Sequence, residues 1–169
     1  MHAKGRRAIR YHVVMQASTN VIPIPFDNRS GWAVRLGSLT LALVCAAPLV
    51  LAAMLTPSDA GMGTHMQMGL PDCGFKTMTG YPCATCGCTT AFAHAAEGSL
   101  LTSFVTQPFG AVLAVSLAMM ALIASWSAVS GMRLEPLGRV MSTKPFVLSW
   151  VALLLVAWGY KAAMVAIAG

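Results

Sequence analysis

The chain has 169 residues, of which 57% are hydrophobic and 9% are charged, with a formal net charge of +6. Soluble proteins carry about 25% charged residues, so this composition excludes a fold that is exposed to water on all sides. Nucleic acid is not an expected partner either, because six of the eleven basic residues precede the first apolar stretch: Lys4, Arg6, Arg7, Arg10, Arg29 and Arg35. The composition predicts an integral membrane protein whose main partner is the lipid bilayer.

Residues 1–35 form a polar, basic segment that contains Pro23, Pro25 and Gly31. Low hydrophobicity and residues that interrupt helices are typical of disordered segments. We therefore predict a disordered cytoplasmic tail at 1–35, in which Met15 offers a second candidate start, followed by one membrane domain at 36–169.

Three apolar stretches follow, at about 36–55, 109–129 and 146–166. Each is long enough to cross a hydrocarbon core of ~30 Å as a helix. A cleaved signal peptide is the alternative for the first stretch, but the apolar region of a signal peptide has only about 7–15 residues. The predicted fold class is therefore all-α, with three transmembrane helices and a short helical, cysteine-bearing loop at 57–107.

The distribution of lysine and arginine predicts the orientation, because these residues concentrate in cytoplasmic segments. The tail carries six of them and the loop at 130–145 carries three, whereas the loop at 57–107 carries only Lys76. We expect the tail inside, and the cysteine loop and the C-terminus on the extracytoplasmic side.

Two features within the spans suggest contacts. Gly110, Ala114 and Ala118 recur every four residues, a stripe that permits close helix approach. We expect it to contact a second copy in a homo-oligomer, or a larger membrane partner. Lys161 interrupts the third span; we expect it to extend to the membrane interface, with a buried functional cation as the alternative.

Four of the five cysteines fall within sixteen residues of this loop: Cys73, Cys83, Cys86 and Cys88. A turn signal at 79–82 precedes Cys83-x-x-Cys86, so we predict this pair at the start of a short helix that begins near Thr85. The positive end of a helix favours a thiolate, and the pKa of Cys83 or Cys86 is therefore expected below the usual ~8.5.

This segment resembles a family of bacterial membrane proteins, the domain of unknown function 2752. The resemblance spans about 71–125 and rests on Cys73-x-Phe75, on Thr79-Gly80-x-Pro82-Cys83-x-x-Cys86-Gly87-x-Thr89, and on Gly98 and Pro108. It implies a small multi-pass protein of the bacterial cytoplasmic (inner) membrane, with a function that the family does not define. The chain departs from the family pattern at Gly74 and Ala84 (usually proline), Thr90 (usually arginine) and Gln107 (usually asparagine), and Cys88 is an additional cysteine.

One interpretation of the cysteines is a disulfide-stapled loop in a structural or accessory membrane component. Cysteines outside the cytoplasm persist as disulfides, and four cysteines allow three connectivities. Cys83 with Cys86 and Cys73 with Cys88 is one pairing, and Cys73 with Cys83 or with Cys86 are the others that we consider.

A second interpretation is thiol–disulfide exchange, with Cys83 attacking and Cys86 resolving. No βαβ pattern of the thioredoxin type surrounds this pair, so neither residue is assigned firmly as catalytic. A third interpretation is a soft-metal site of copper or zinc, with Cys73, Cys83, Cys86 and Cys88 as ligands. Thioether and imidazole groups that suit copper(I) precede them, at Met62, His65, Met66 and Met68. No other cofactor is expected.

Overall fold

The computed structural model describes residues 31–168, and this part of the chain is helical and contains no strand. The all-α prediction is confirmed. Residues 1–30 of the expected cytoplasmic tail lie outside the described residues. Residues 31–35, which were also expected to be disordered, are helical, so that part of the prediction was wrong.

The described residues form seven α-helices and one short 3-10 helix. The three long helices are α1, α5 and α7, and the remaining elements belong to the connections between them. In chain order the elements are α1 (Gly31–Ala53), the 3-10 helix (Thr64–Met68), α2 (Gly74–Thr79), α3 (Cys88–Ala96), α4 (Leu100–Thr106), α5 (Pro108–Ser130), α6 (Glu135–Met141) and α7 (Lys144–Ala168).

The three long helices are those predicted to cross the membrane, and each is long and apolar enough to do so. Helix α7 begins at Lys144, one residue before Pro145, whereas the third span was predicted to begin after this proline. Proline fits in the first turn of a helix, because the N–H that it lacks would have no partner within the helix there. Helix α5 ends at Gly131, whose φ of 72° is left-handed and stops the helix. Helix α1 continues through Pro48.

The long helices bury small and polar side chains and expose large apolar ones. Ser38 and Ala42 of α1 are buried, whereas Leu43 and Val44 of the same helix are 63% and 65% exposed. In water this arrangement would leave the largest apolar groups unburied, but lipid tails solvate them, and small residues let helices approach closely. The pattern of burial therefore agrees with a membrane protein.

Helices α1 and α5 pack against each other, and helix α3 packs against both. Two residues of the predicted stripe, Gly110 and Ala114, lie at these contacts. Gly110 faces Cys88 and Ala91 of α3, and Ala114 is 2% exposed in a cluster with Ala52 and Phe92. These two positions are occupied within the chain. The expectation that the stripe contacts a second copy was therefore wrong for Gly110 and Ala114, because helix α3 of the same chain packs against these two residues.

The segment between α1 and α5 folds over one end of the three long helices. Helix α3 packs against α1, α4 and α5, and the C-terminal part of α7 reaches the same end. Helix α4 points its polar Ser103 inwards, where Oγ donates to the carbonyl of Ala91 at 2.6 Å. Its apolar Leu101 and Phe104 are exposed.

Candidate functional site

The Cys-x-x-Cys pair lies in a turn that precedes α3. The prediction of a helix that begins near Thr85 was wrong by three residues, because α3 begins at Cys88. Gly87 separates the pair from the helix with a φ of 90°, a left-handed conformation that ends any continuous helix. A Cβ on Gly87 would lie 2.7 Å from the carbonyl oxygen of Gly61, so the turn also requires glycine for space.

Three of the four loop cysteines form a cluster. The Sγ atoms of Cys73, Cys83 and Cys86 all lie within 4.8 Å of one another. Cys73 directly precedes α2. After α2 the chain turns at Gly80, whose φ is 76°. This turn brings Cys83 and Cys86 close to Cys73. Close spacing of three thiols from two segments gives a site that can bind a soft metal or exchange disulfides.

The four loop cysteines are free thiols in this structure. The Sγ atoms of Cys83 and Cys86 are 3.4 Å apart, compared with about 2.05 Å in a disulfide. The expected staple is therefore not supported in any of its connectivities. Cys88 lies apart from the three-sulfur cluster, because it begins α3 on the far side of Gly87.

The three thiols around Gly87 differ in acidity. Partial burial raises the pKa of Cys83, but hydrogen bonds with Thr85, Cys86 and Cys73 outweigh it and lower this pKa from 9.0 to about 7. Burial raises the pKa of Cys86 to about 12, and the hydrogen bonds that it gives to Cys83 and Cys73 act in the same direction. The predicted acidic thiol is thus Cys83, and its acidity comes from neighbouring side chains and not from a helix terminus.

Burial also raises the pKa of Cys88, to about 11. A hydrogen bond with Gln107 and the positive charge of Lys161 act against that rise, while the charge of Cys83 adds to it. Cys88 is therefore a protonated thiol at neutral pH.

A cavity of about 550 Å³ contains the cluster. Met62, His65 and Met66 line it together with the cysteines, whereas Met68 does not. Gly63 and Gly69, with φ of 89° and 77°, bound the 3-10 helix that carries His65 and Met66, and Met62 directly precedes Gly63. Three members of the methionine and histidine group noted in the sequence therefore share one cavity with the thiols.

Residues 73–121 match the family model described as Protein of unknown function (DUF2752). This segment is similar to the DUF2752 family. The resemblance inferred from the sequence is therefore confirmed over the cysteine loop and most of α5. No curated protein and no solved structure matches the chain at a significant level.

Two departures from the expected DUF2752 pattern have structural roles here. Thr90 is fully buried, and its hydroxyl lies 2.8 Å from that of Thr64 in the 3-10 helix. Gln107 is also fully buried, and its Nε2 donates to the carbonyl of Ala84 at 3.1 Å. Thr90 therefore joins α3 to the 3-10 helix, and Gln107 joins the junction of α4 and α5 to the turn that holds the thiols.

Helix α7 holds the same turn from outside the DUF2752 segment. Trp158 Nε1 donates to the carbonyl of Pro82, directly before Cys83, at 2.9 Å. Lys161 Nζ donates to the carbonyls of Gly61 at 3.2 Å and Thr106 at 3.1 Å. Lys161 is only 8% exposed. The expectation that it extends to the interface was wrong, because its ammonium group is buried and donates hydrogen bonds to these carbonyls.

The contributions of Trp158, Gln107 and Thr64 were not predicted from the sequence. An aromatic residue near the end of an apolar span is typical of the membrane interface, and nothing in its spacing indicates a bond to a residue 76 positions earlier. For Lys161 there was a signal, since a cation inside an apolar span suggests a buried role.

Proposed function

We propose that the protein binds a soft metal ion at the membrane surface through Cys73, Cys83 and Cys86. The observation that carries this proposal is the distance between their sulfurs, all within 4.8 Å of one another. Three sulfurs that bind one ion at about 2.3 Å lie about 3.8–4.0 Å apart. The cluster is therefore close to the spacing that a trigonal or tetrahedral site requires.

The composition of the cavity selects the class of metal. Thiolates prefer copper(I), zinc and other soft or borderline ions. Met62, His65 and Met66 in the same cavity offer thioether and imidazole groups for a fourth position. The distribution of basic residues favours an extracytoplasmic cavity in the bacterial cytoplasmic membrane, and a reporter fused within 57–107 tests this orientation, with a cytoplasmic signal contradicting it.

Cadmium titration of the full chain in detergent under reducing conditions tests metal binding, because Cd²⁺–thiolate bonds absorb in the ultraviolet. We expect one equivalent to bind to the wild type. Serine at position 73, 83 or 86 should weaken binding by at least about tenfold. Cys45→Ser is the matched control, since Cys45 lies within α1. A wild type without cadmium–thiolate absorption would overturn the proposal.

A second function, thiol–disulfide exchange, is favoured by the contrast between the two thiols of the pair. A Cys83 thiolate, with its pKa of about 7, would attack a disulfide of a partner and release one partner thiolate. Cys86, 3.4 Å away, would then lose its proton and attack Cys83 Sγ. This step forms a Cys83–Cys86 disulfide, and the partner leaves with two additional electrons as a dithiol.

Trapping of the mixed disulfide tests the exchange. With an oxidised peptide as substrate, Cys86→Ser should accumulate the Cys83-linked adduct, whereas Cys88→Ser should not. Equal accumulation in both variants, or none in either, would argue against exchange through this pair.

A further inference from the structure

One cation within the part of the chain that the structure describes lies beside the thiol turn without belonging to the loop. Lys161 comes from α7, and its Nζ lies 3.5 Å from the position that a Cβ of Gly87 would occupy. Gly87 joins Cys86 to Cys88 in the chain. The ammonium group of α7 therefore lies directly behind the segment that carries the thiols.

The known hydrogen bonds of Lys161 do not use its full capacity. An ammonium group has three donors, and two of them are directed to Gly61 and Thr106. The charged side chains that line the cavity itself, Asp72 and Lys76, are of opposite sign, and Lys161 lies behind Gly87 and not in this lining. Lys161 is buried, so water screens its charge less than it screens these two.

We propose that Lys161 is a positioning residue that stabilises negative charge on the cysteine cluster, and so selects for metal complexes that carry excess negative charge. The proposal rests on the metal-binding function proposed above. Three thiolates around a divalent ion carry a net charge of −1, and three thiolates around a monovalent ion carry −2. A fixed positive charge therefore stabilises the complex of a monovalent ion, such as copper(I), more than the complex of a divalent ion.

This charge-dependent preference separates an electrostatic role from a merely structural one. Loss of a bond that only shapes the turn weakens the binding of every ion by a similar factor. Loss of a charge weakens the free energy of binding in proportion to the negative charge of the complex, by about tenfold in affinity for each unit at an intermediate effective dielectric.

The experiment compares Ag⁺, a redox-stable monovalent ion, with Cd²⁺ on the full chain in detergent. Lys161→Gln and Lys161→Met remove the charge, and Lys161→Arg retains it. In the uncharged variants we expect Cd²⁺ affinity to fall about tenfold and Ag⁺ affinity about a hundredfold. Lys161→Arg should keep the wild-type ratio between the two ions, and two uncharged variants provide a measurement if one of them does not fold.

Trp158→Phe is the matched control, because it removes the bond from α7 to Pro82 and leaves the charge in place. It should weaken both ions by the same factor. Equal weakening of both ions in Lys161→Gln and Lys161→Met, or no weakening, would overturn the role of the charge while leaving the metal site intact. A wild type that binds neither ion would instead refute the proposed function itself.

Discussion

Helices α1 and α5 and the cysteine loop differ in the size of the largest polar side chains that they bury, because these helices bury serines and the loop buries threonines and a glutamine. In the helices, leucines and valines such as Leu43 and Val44 face outwards and small residues face each other. In the loop, the fully buried side chains include polar ones, among them Thr64, Thr90 and Gln107. The long helices therefore expose many of their large apolar side chains, whereas the adjoining loop buries several of its larger polar ones.

The difference shows what each region uses for its stability. Lipid solvates the apolar surface of the helices, so their association depends on close backbone approach. The loop has no large apolar core, and hydrogen bonds between elements hold its turns together, as Ser103 does with Ala91. Changes of volume should therefore disturb the helices most, and changes of backbone or of a polar partner should disturb the loop most.

The largest effect is expected for Gly87→Ala. The new Cβ would lie 2.7 Å from the carbonyl oxygen of Gly61, at a φ of 90° that side chains rarely adopt. We expect a loss of about 3–5 kcal/mol in the free energy of unfolding, measured by denaturant unfolding in detergent. Gly74→Ala is the control, because nothing lies within 4 Å of its Cβ position; an equal loss in both variants would contradict the assigned role of the turn.

In the helices, the corresponding change is Ala114→Phe. Ala114 is 2% exposed between Ala52 and Phe92, so a phenyl ring must displace α1 or α3, at a cost of about 1–3 kcal/mol. Val115→Phe, at a neighbouring position that is 44% exposed, should leave stability unchanged. If Ala114→Phe altered only the size of an oligomer and not the stability, Ala114 would face a second copy after all.

The acidity of the cluster gives a prediction for pH dependence. A pKa of about 7 means that Cys83 becomes a thiolate as pH rises through 7, whereas Cys86, with a pKa of about 12, stays protonated. Alkylation of Cys83, followed by mass spectrometry, should therefore reach half its maximal rate near pH 7. Thr85→Ala removes a hydrogen bond that favours the thiolate and should move this midpoint towards 9.0; Thr89→Ala, a nearby control, should not move it.

The sequence predicted the long helices well, because lipid imposes one requirement, a run of apolar residues, that can be read locally. It also predicted the cysteine cluster and the acidic thiol, since these residues are close in the chain. It could not predict the bond from Trp158 to Pro82 or the bond from Lys161 to Gly61, because these residues are 76 and 100 positions apart. The start of α3 was misplaced because the left-handed conformation of Gly87, which separates the cysteine pair from the helix, was not recognised in the sequence.

The smallest effects are expected when one buried hydroxyl is removed from each region, that of Thr90 in the loop and that of Ser38 in the long helices. The Thr64 hydroxyl accepts from the backbone N–H of Ser58 and lies 2.8 Å from that of Thr90. Thr90→Val removes this buried hydrogen bond and should cost about 1–2 kcal/mol. Ser38→Ala removes the bond to Ser127 across α1 and α5, but the Ser127 hydroxyl still donates to the carbonyl of Met132.

The cost of Ser38→Ala should therefore be about 0.6 kcal/mol, as for hydrogen bonds between helices in membranes generally. Denaturant unfolding of both variants in the same detergent measures the two values side by side. A Ser38→Ala loss that equals or exceeds the Thr90→Val loss would mean that a polar contact also governs the packing of the long helices. The contrast between a lipid-solvated bundle and a hydrogen-bonded loop would then fail, because one kind of interaction would stabilise both regions.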